Sequence, residues 1–266
     1  VADPLTHWRR FLARPNDDRV KTFGVALLVA FVCAVVVSTA SVLLKPMQDA
    51  HLEALRAARM EAMLDTLPGL RALMEETGVT GLTTRMVDLR DGSFAPDADP
   101  AGYDAIAAAE TPETSVAIPP EADIAGLKRR ENLAPVYLLE RDGKLMVLVL
   151  PMRAAGYQST ITAMLALEPD LKTIAALTIT GQGETPGLGA RIAEPDWQAL
   201  WPGKEVTDET GKVVIEVVRG QAVGPHQVDG VSGATRSSMA VGAMVQFWLG
   251  DWGFGPFLRR LETEGL

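Results

Sequence analysis

From residue 22 to residue 44 the chain carries no charged side chain, and this run constrains the fold more than any other feature. At 1.5 Å per helical residue it spans roughly 34 Å, more than the ~30 Å hydrocarbon core of a bilayer. A core helix of a soluble protein would show a polar face, and this run shows none. The flanking charge is uneven. Arg9, Arg10, Arg14, Arg19 and Lys21 precede the run, whereas Lys45, Arg56 and Arg59 follow it. The positive-inside rule then predicts a cytoplasmic segment over 1–21, a transmembrane helix over 22–44, and a C-terminal bulk on the far side. A second reading stays open. Ser38 and Ala40 are spaced like a signal-peptidase site behind a basic stretch, although the apolar run exceeds the ~7–15 residues of a signal sequence.

Beyond this segment, the 266 residues leave room for one sizeable soluble domain or two small ones. The formal net charge of -9 argues against nucleic acid as a partner, because phosphate backbones need clustered Lys and Arg. Cys33 is the only cysteine, so an internal disulfide, a Cys-based zinc site and a CxxC pair are excluded. Its place in the middle of the apolar run reads as a small apolar side chain. His7, His51 and His226 are too few for a His-rich metal centre.

Along the rest of the chain, residues 48–76 are rich in Ala, Leu, Met, Arg and Glu and read as helix interrupted near Pro68. A strand is expected over 85–89, before a turn at Asp91-Gly92. Residues 95–122 read as a surface excursion rich in Pro, Ala, Asp and Glu. Strands over 136–140 and 144–150 flank Asp142-Gly143, a strong hairpin signal. Further strands are expected over 160–167, 171–180 and 212–219, with helices over 195–201 and 237–249. Trp197 and Trp201 share one helix face and read as core. Consecutive hairpins with few intervening helices predict an α+β domain with an antiparallel sheet flanked by helices.

Three segments can carry chemistry. The first is Asp229-Gly230-Val231-Ser232-Gly233-Ala234-Thr235. Its small residues let a backbone approach a ligand closely, and the helix that follows turns free N–H groups and a positive dipole end toward Thr235. A phosphate would be well placed there; an ordinary Gly-rich turn with a Ser or Thr cap is the plain alternative. Gly230-Val231-Ser232-Gly233-Ala234 also approximates a nucleophile elbow, with His226 as the one candidate base. The second segment is Gly183-Glu184-Thr185-Pro186-Gly187-Leu188-Gly189. Its glycines permit unusual backbone angles, positive φ at Gly189 among them, and the loop can lay N–H groups and the Leu188 side chain against a flat ring. It is not a dinucleotide fingerprint, since Ile192 stands where the last Gly would be. The third is the run from Phe247 to Leu258, in which aromatics alternate with glycines. It reads either as a flat contact surface or as a tail packed on the core.

Together these segments resemble the NqrC family, the C subunit of the bacterial sodium-translocating NADH:quinone oxidoreductase. The resemblance runs from about residue 20 to the C-terminus and is most specific over 181–258. It implies FMN joined covalently through its phosphate to Thr235 by a flavin transferase. Ser232, Gly233 and Ala234 complete the attachment motif, and Glu184, Thr185, Leu188 and Gly189 lie in the family's other hallmark loop, near the isoalloxazine ring. Gln182 departs from the family pattern, where a His is expected before Gly183. The resemblance also implies a single-pass subunit of a membrane redox complex, touching lipid and other subunits, relaying electrons in the bacterial inner membrane. The chain then divides into 1–21 in the cytoplasm, the helix over 22–44, a helical and irregular periplasmic region over 45–130, and a covalent FMN-binding domain over 131–266. The G subunit of the Rnf-type ferredoxin:NAD oxidoreductase shares the flavin threonine and the Glu-Thr-Pro-Gly-Leu-Gly loop, but the aromatic tail is not expected there. A membrane-anchored binding or hydrolytic domain without flavin is the remaining alternative.

Overall fold

The computed structural model describes residues 21–39, 83–100 and 102–266, together with positions 13, 15, 18, 19 and 45. The end of the predicted span at 40–44 and the predicted helix over 48–76 lie outside the described residues.

Helix α1 covers Lys21–Thr39, with mean hydropathy 2.4 and no residue of its apolar run buried inside the protein. Its 19 residues span roughly 28 Å, so it is long and apolar enough to cross a bilayer. Phe23, Leu27 and Phe31 are exposed to the surroundings. In water such a surface would be costly, and in hydrocarbon it is not.

The C-terminal unit is built on five antiparallel strands: β1 (Thr83–Asp88), β4 (Leu133–Arg141), β5 (Lys144–Ala155), β6 (Thr160–Leu167) and β7 (Ile174–Gly181). Their spatial order is β1-β4-β5-β6-β7. The sheet thus draws one edge strand from well upstream of residue 131. The Asp-Gly signal acts as expected: Arg141 pairs with Lys144, and Asp142 and Gly143 both take positive φ, at 51° and 73°. Two positive φ values in a two-residue loop match the right-handed twist of the flanking strands.

Residues 95–122 are more than an excursion. Helix α2 (Ala105–Glu110) is capped by Asp104, whose carboxylate accepts from the N–H of Ile106 and Ala107. It leads into a small ribbon of β2 (Ser115–Ala117) and β3 (Arg129–Glu131), and Ile118 and Ala125 are buried in the core. At the end of β3, buried Glu131 holds Arg153 of β5 in a two-pronged ion pair, with Arg153 Nη1 2.6 Å from Glu131 Oε1. Such fork geometry lets a charge pair be buried without leaving donors stranded.

Helix α3 is a single turn at Pro195–Gln198, shorter than the 195–201 expected. Trp197 and Trp201 are both buried and meet edge to face at 5.7 Å. The strand predicted over 212–219 contracts to β8 (Glu216–Val218). It pairs in parallel with β9 (Gln227–Asp229), the one parallel pairing among the described strands. Helix α4 (Thr235–Leu249) packs on β5 and β8, and α5 (Gly255–Glu264) closes the chain.

The aromatic tail is core. Phe247, Trp248, Phe254 and Phe257 are all buried, and the Trp248 indole N–H donates to the carbonyl of Arg153 at 2.8 Å. The glycines between them serve close packing. A Cβ at Gly253 would lie 2.2 Å from the carbonyl oxygen of Trp248. Consecutive aromatics can enter one core only where the chain reverses tightly, and these glycines allow that reversal.

Candidate functional site

Two loops separated by about forty residues meet at the start of α4. Turn 230–234 runs from β9 into the helix, and Gly233 adopts φ 79°, a conformation that a Cβ would strain. The 3-10 turn Gly189–Ala193 packs against α4, and Arg191 Nη1 approaches the carbonyl of Ser232 at 3.5 Å. A Cβ on Gly233 would sit 3.8 Å from Leu188 Cδ2. The sequence hallmarks at 183–189 and 229–235 therefore form one surface.

The hydroxyls of this region divide sharply. Ser237 and Ser238 are buried and engaged: Ser237 donates to Glu184 Oε2 at 2.6 Å, and Ser238 to the carbonyls of Ala234 and Thr235. Thr235, the first residue of α4, is half-buried, and its hydroxyl makes no hydrogen bond among the described residues. Ser232 and Gly233 are exposed, while Ala234 is buried at the cap position. No side chain caps α4, and its first turn holds no carboxylate. Its N–H groups and positive dipole end are thus open to an anion beside Thr235.

Glu184 organises the underside of this surface. Only 4% of the residue is exposed, and its carboxylate points inward. Oε1 accepts from the N–H of Gln158 (3.0 Å) and Ser159 (3.2 Å), and Oε2 from the N–H of Tyr157 (3.2 Å) and the Ser237 hydroxyl. Burial pushes this carboxyl up, but the bonds from Ser237, Gln158, Ser159 and Tyr157 together outweigh it and hold it below the usual carboxylate range. Glu184 thereby ties the β5–β6 turn, its own loop and the first turn of α4 into one body. Ser159 Oγ adds a second tie by accepting from the N–H of Gly183 at 2.7 Å. Gln182 Oε1 accepts from the N–H of Glu184 at 2.7 Å, so this side chain stabilises the loop locally.

Gly189 is required for space. Positive φ in this loop belongs to Gly187, at 72°. At Gly189 a Cβ would fall 2.6 Å from Ser237 Oγ and 2.9 Å from Glu184 Cβ. The loop must approach α4 that closely for Glu184 to reach Ser237. Above this base Thr185 is half-buried and Leu188 is 50% exposed, an apolar side chain held outward by a fixed backbone. Tyr157, 57% exposed, carries the guanidinium of Arg236 over its ring at 5.1 Å. Sequence reading missed Tyr157, Ser159, Arg236 and the Glu184–Ser237 bond. The one available signal was that Gly156–Ser159 is a polar turn between two strands.

The hydrolase reading fails on geometry. His226 Nδ1 lies 2.9 Å from the carbonyl oxygen of Glu205 and is not paired with Ser232. A cleft of about 460 Å³, lined by Lys172, Val206, Thr210, Leu249, Asp251 and Arg259, shares no residue with the two hallmark loops.

Comparison with known proteins accords with this surface. Residues 156–250 match the FMN-binding domain family, a span that includes every residue of the site. The chain is 41% identical over 264 residues to the C subunit of the Na(+)-translocating NADH-quinone reductase of Pseudomonas aeruginosa, with 93% of this chain and 97% of that one covered. The chain belongs to the NqrC family. The Vibrio alginolyticus member is 38% identical, with 96% of this chain and 100% of that one covered. Among solved structures, Shewanella oneidensis NqrC superposes with a TM-score of 0.69 at 32% identity, over 79% of this chain and 98% of that one. The corresponding protein from Parabacteroides distasonis gives 0.52 at 25% identity, over 71% and 82%. Membership in the NqrC family decides between the two redox families that the sequence resembles. It identifies FMN as the cofactor and makes this chain a membrane-anchored subunit of a multi-subunit oxidoreductase.

Proposed function

We propose that this chain is the flavin-bearing C subunit of a Na+-translocating NADH:quinone reductase, with FMN joined through its phosphate to the Thr235 hydroxyl. The observation that carries this reading is the contrast among hydroxyls: Thr235 is free at an uncapped helix start, while Ser237 and Ser238 are buried and occupied. The residues fit the group. The first-turn N–H groups of α4 and the exposed backbone of Ser232 and Gly233 would hold the phosphate, and Leu188 with Thr185 would pack against the ring. When bound, the flavin supplies one- and two-electron redox chemistry, which relays electrons between partner subunits.

The chain's own part is to hold and shield. A phosphodiester at Thr235 removes dissociation as a route of cofactor loss and leaves a single negative charge to be stabilised by the helix end. The Glu184 carboxylate keeps the helix start and the ring-facing loop at a fixed separation. Glu184 is therefore a positioning residue, and Gly189 admits the close approach this needs. Attachment requires a flavin transferase during maturation. Helix α1 sits in lipid with residues 1–21 in the cytoplasm and the C-terminal unit, its sheet edge strand β1 included, in the periplasm of a bacterial inner membrane, as the flanking charges favour.

The test is peptide mass spectrometry on chain produced together with a flavin transferase. FMN should map to the peptide containing Thr235, and Thr235→Val should lose the fluorescent band on a denaturing gel while retaining its fold. FMN on Ser232 or Thr185 would overturn the assignment.

A further inference from the structure

Arg236 follows the attachment threonine, and its guanidinium is held over the ring of Tyr157 at 5.1 Å. Among the described residues it forms no ion pair and no hydrogen bond through its side chain, whereas Arg153, Arg191, Arg259 and Arg260 each have a carboxylate partner. Tyr157 is itself fixed from below, since its N–H donates to the same Glu184 oxygen that receives the Ser237 hydroxyl. The result is a cation held on the residue after Thr235, with no described anion of the protein to neutralise it. An arginine over an aromatic face gives up part of its hydration, and its flat fork of donors suits a phosphate oxygen pair.

We propose that Arg236, pre-set by Tyr157, is a positioning residue for the flavin phosphate ester at Thr235. The inference rests on the assignment of FMN to Thr235. It assigns the ester's charge to two partners: the N–H groups of the α4 start on one side and the Arg236 guanidinium on the other. A fixed ester restricts the pivot about which the ring can swing, so Arg236 helps set where the ring lies against Leu188. Arg236 is exposed, so its replacement leaves the core untouched.

The experiment uses detergent-solubilised full chain produced with a flavin transferase, as wild type, Arg236→Lys, Arg236→Gln and Tyr157→Leu. Covalent flavin is counted on denaturing gels, and the ester is observed by phosphorus NMR at low and high salt. All four proteins should carry equal flavin. The phosphorus resonance should move in Arg236→Gln and lose its salt dependence, because an exposed ion pair is screened by salt. Arg236→Lys should restore the salt dependence with a different chemical shift, and Tyr157→Leu should fall between wild type and Arg236→Gln. Equal flavin with an unchanged resonance in Arg236→Gln would overturn the proposal and leave Thr235 as the attachment site. Loss of flavin from Arg236→Gln alone would place the charge in the attachment reaction and also overturn it. Wild-type chain without covalent flavin would remove the assignment on which the inference stands.

Discussion

Replacing Glu184 by Gln changes one buried charge and almost no volume, so its effect isolates the electrostatics beneath the site. The carboxylate receives the N–H of Tyr157, Gln158 and Ser159 and the hydroxyl of Ser237. A hydrogen bond to a charged group contributes about 1.5–3 kcal/mol and a neutral one about 0.5–1.5. An amide at this position keeps one oxygen. If that oxygen serves Gln158 and Ser159, its NH2 group faces the N–H of Tyr157, which loses its acceptor, while the Ser237 hydroxyl can rotate to accept. One unsatisfied N–H costs about 1–3 kcal/mol, and relief of the buried charge offsets part of the total. We expect Glu184→Gln to destabilise the domain by about 2–4 kcal/mol near neutral pH, a large share of the ~5–15 kcal/mol typical of folded proteins.

The pH dependence fixes the sign. The folded-state pKa of Glu184 is depressed below the ordinary value of 4.5, so its contribution is complete above that value and is lost as pH falls through the folded-state value. The gap between wild type and Glu184→Gln should therefore be full at about pH 7 and should narrow below about pH 4.5. Urea unfolding of the solubilised chain, followed by the fluorescence of buried Trp201 and Trp248, measures it. A gap under about 0.5 kcal/mol, or one that stays constant as the pH is lowered, would refute the reasoning.

Leu188→Ala should keep stoichiometric flavin, because attachment takes place at Thr235, but should shift the flavin absorption spectrum or reduction potential by opening the ring to water; an unchanged spectrum and potential would place the loop away from the ring. A reporter fused after Leu266 should be active outside the cytoplasm, and protection of the C-terminal domain from external protease in spheroplasts would reverse the orientation.

Local chemistry made much of this protein legible from its residues. An uncharged run fixes α1, because hydrocarbon tolerates no unpaired charge over that length. Asp142-Gly143 fixes the β4–β5 hairpin, because only such residues accept positive φ twice in succession. The strand signals at 136–140, 144–150 and 160–167 rest on side-chain patterning within a few residues, and those strands form. The strand at 212–219 and the helix at 195–201 come out shorter, since their ends are set by what packs beside them. The parallel pairing of β8 with β9 has no local signal at all. Neither had the burial of the aromatic tail, which sequence left open between a contact surface and core; Gly253 decides it, through an approach to the Trp248 carbonyl that only the fold creates.

The site divides along the same line. Both hallmark loops and their key residues stand out in the sequence, because glycines and small residues mark places where backbone must come close to something. What they come close to is a matter of tertiary structure. Glu184 reads as a flavin contact from its loop, yet its carboxylate turns inward to Ser237 and the 157–159 turn, across gaps of fifty-three and about twenty-six residues. Gly189 reads as a flexible position, yet its hydrogen is demanded by the Ser237 hydroxyl overhead. A buried carboxylate must find donors wherever the fold brings them, and no spacing along the chain records where that will be.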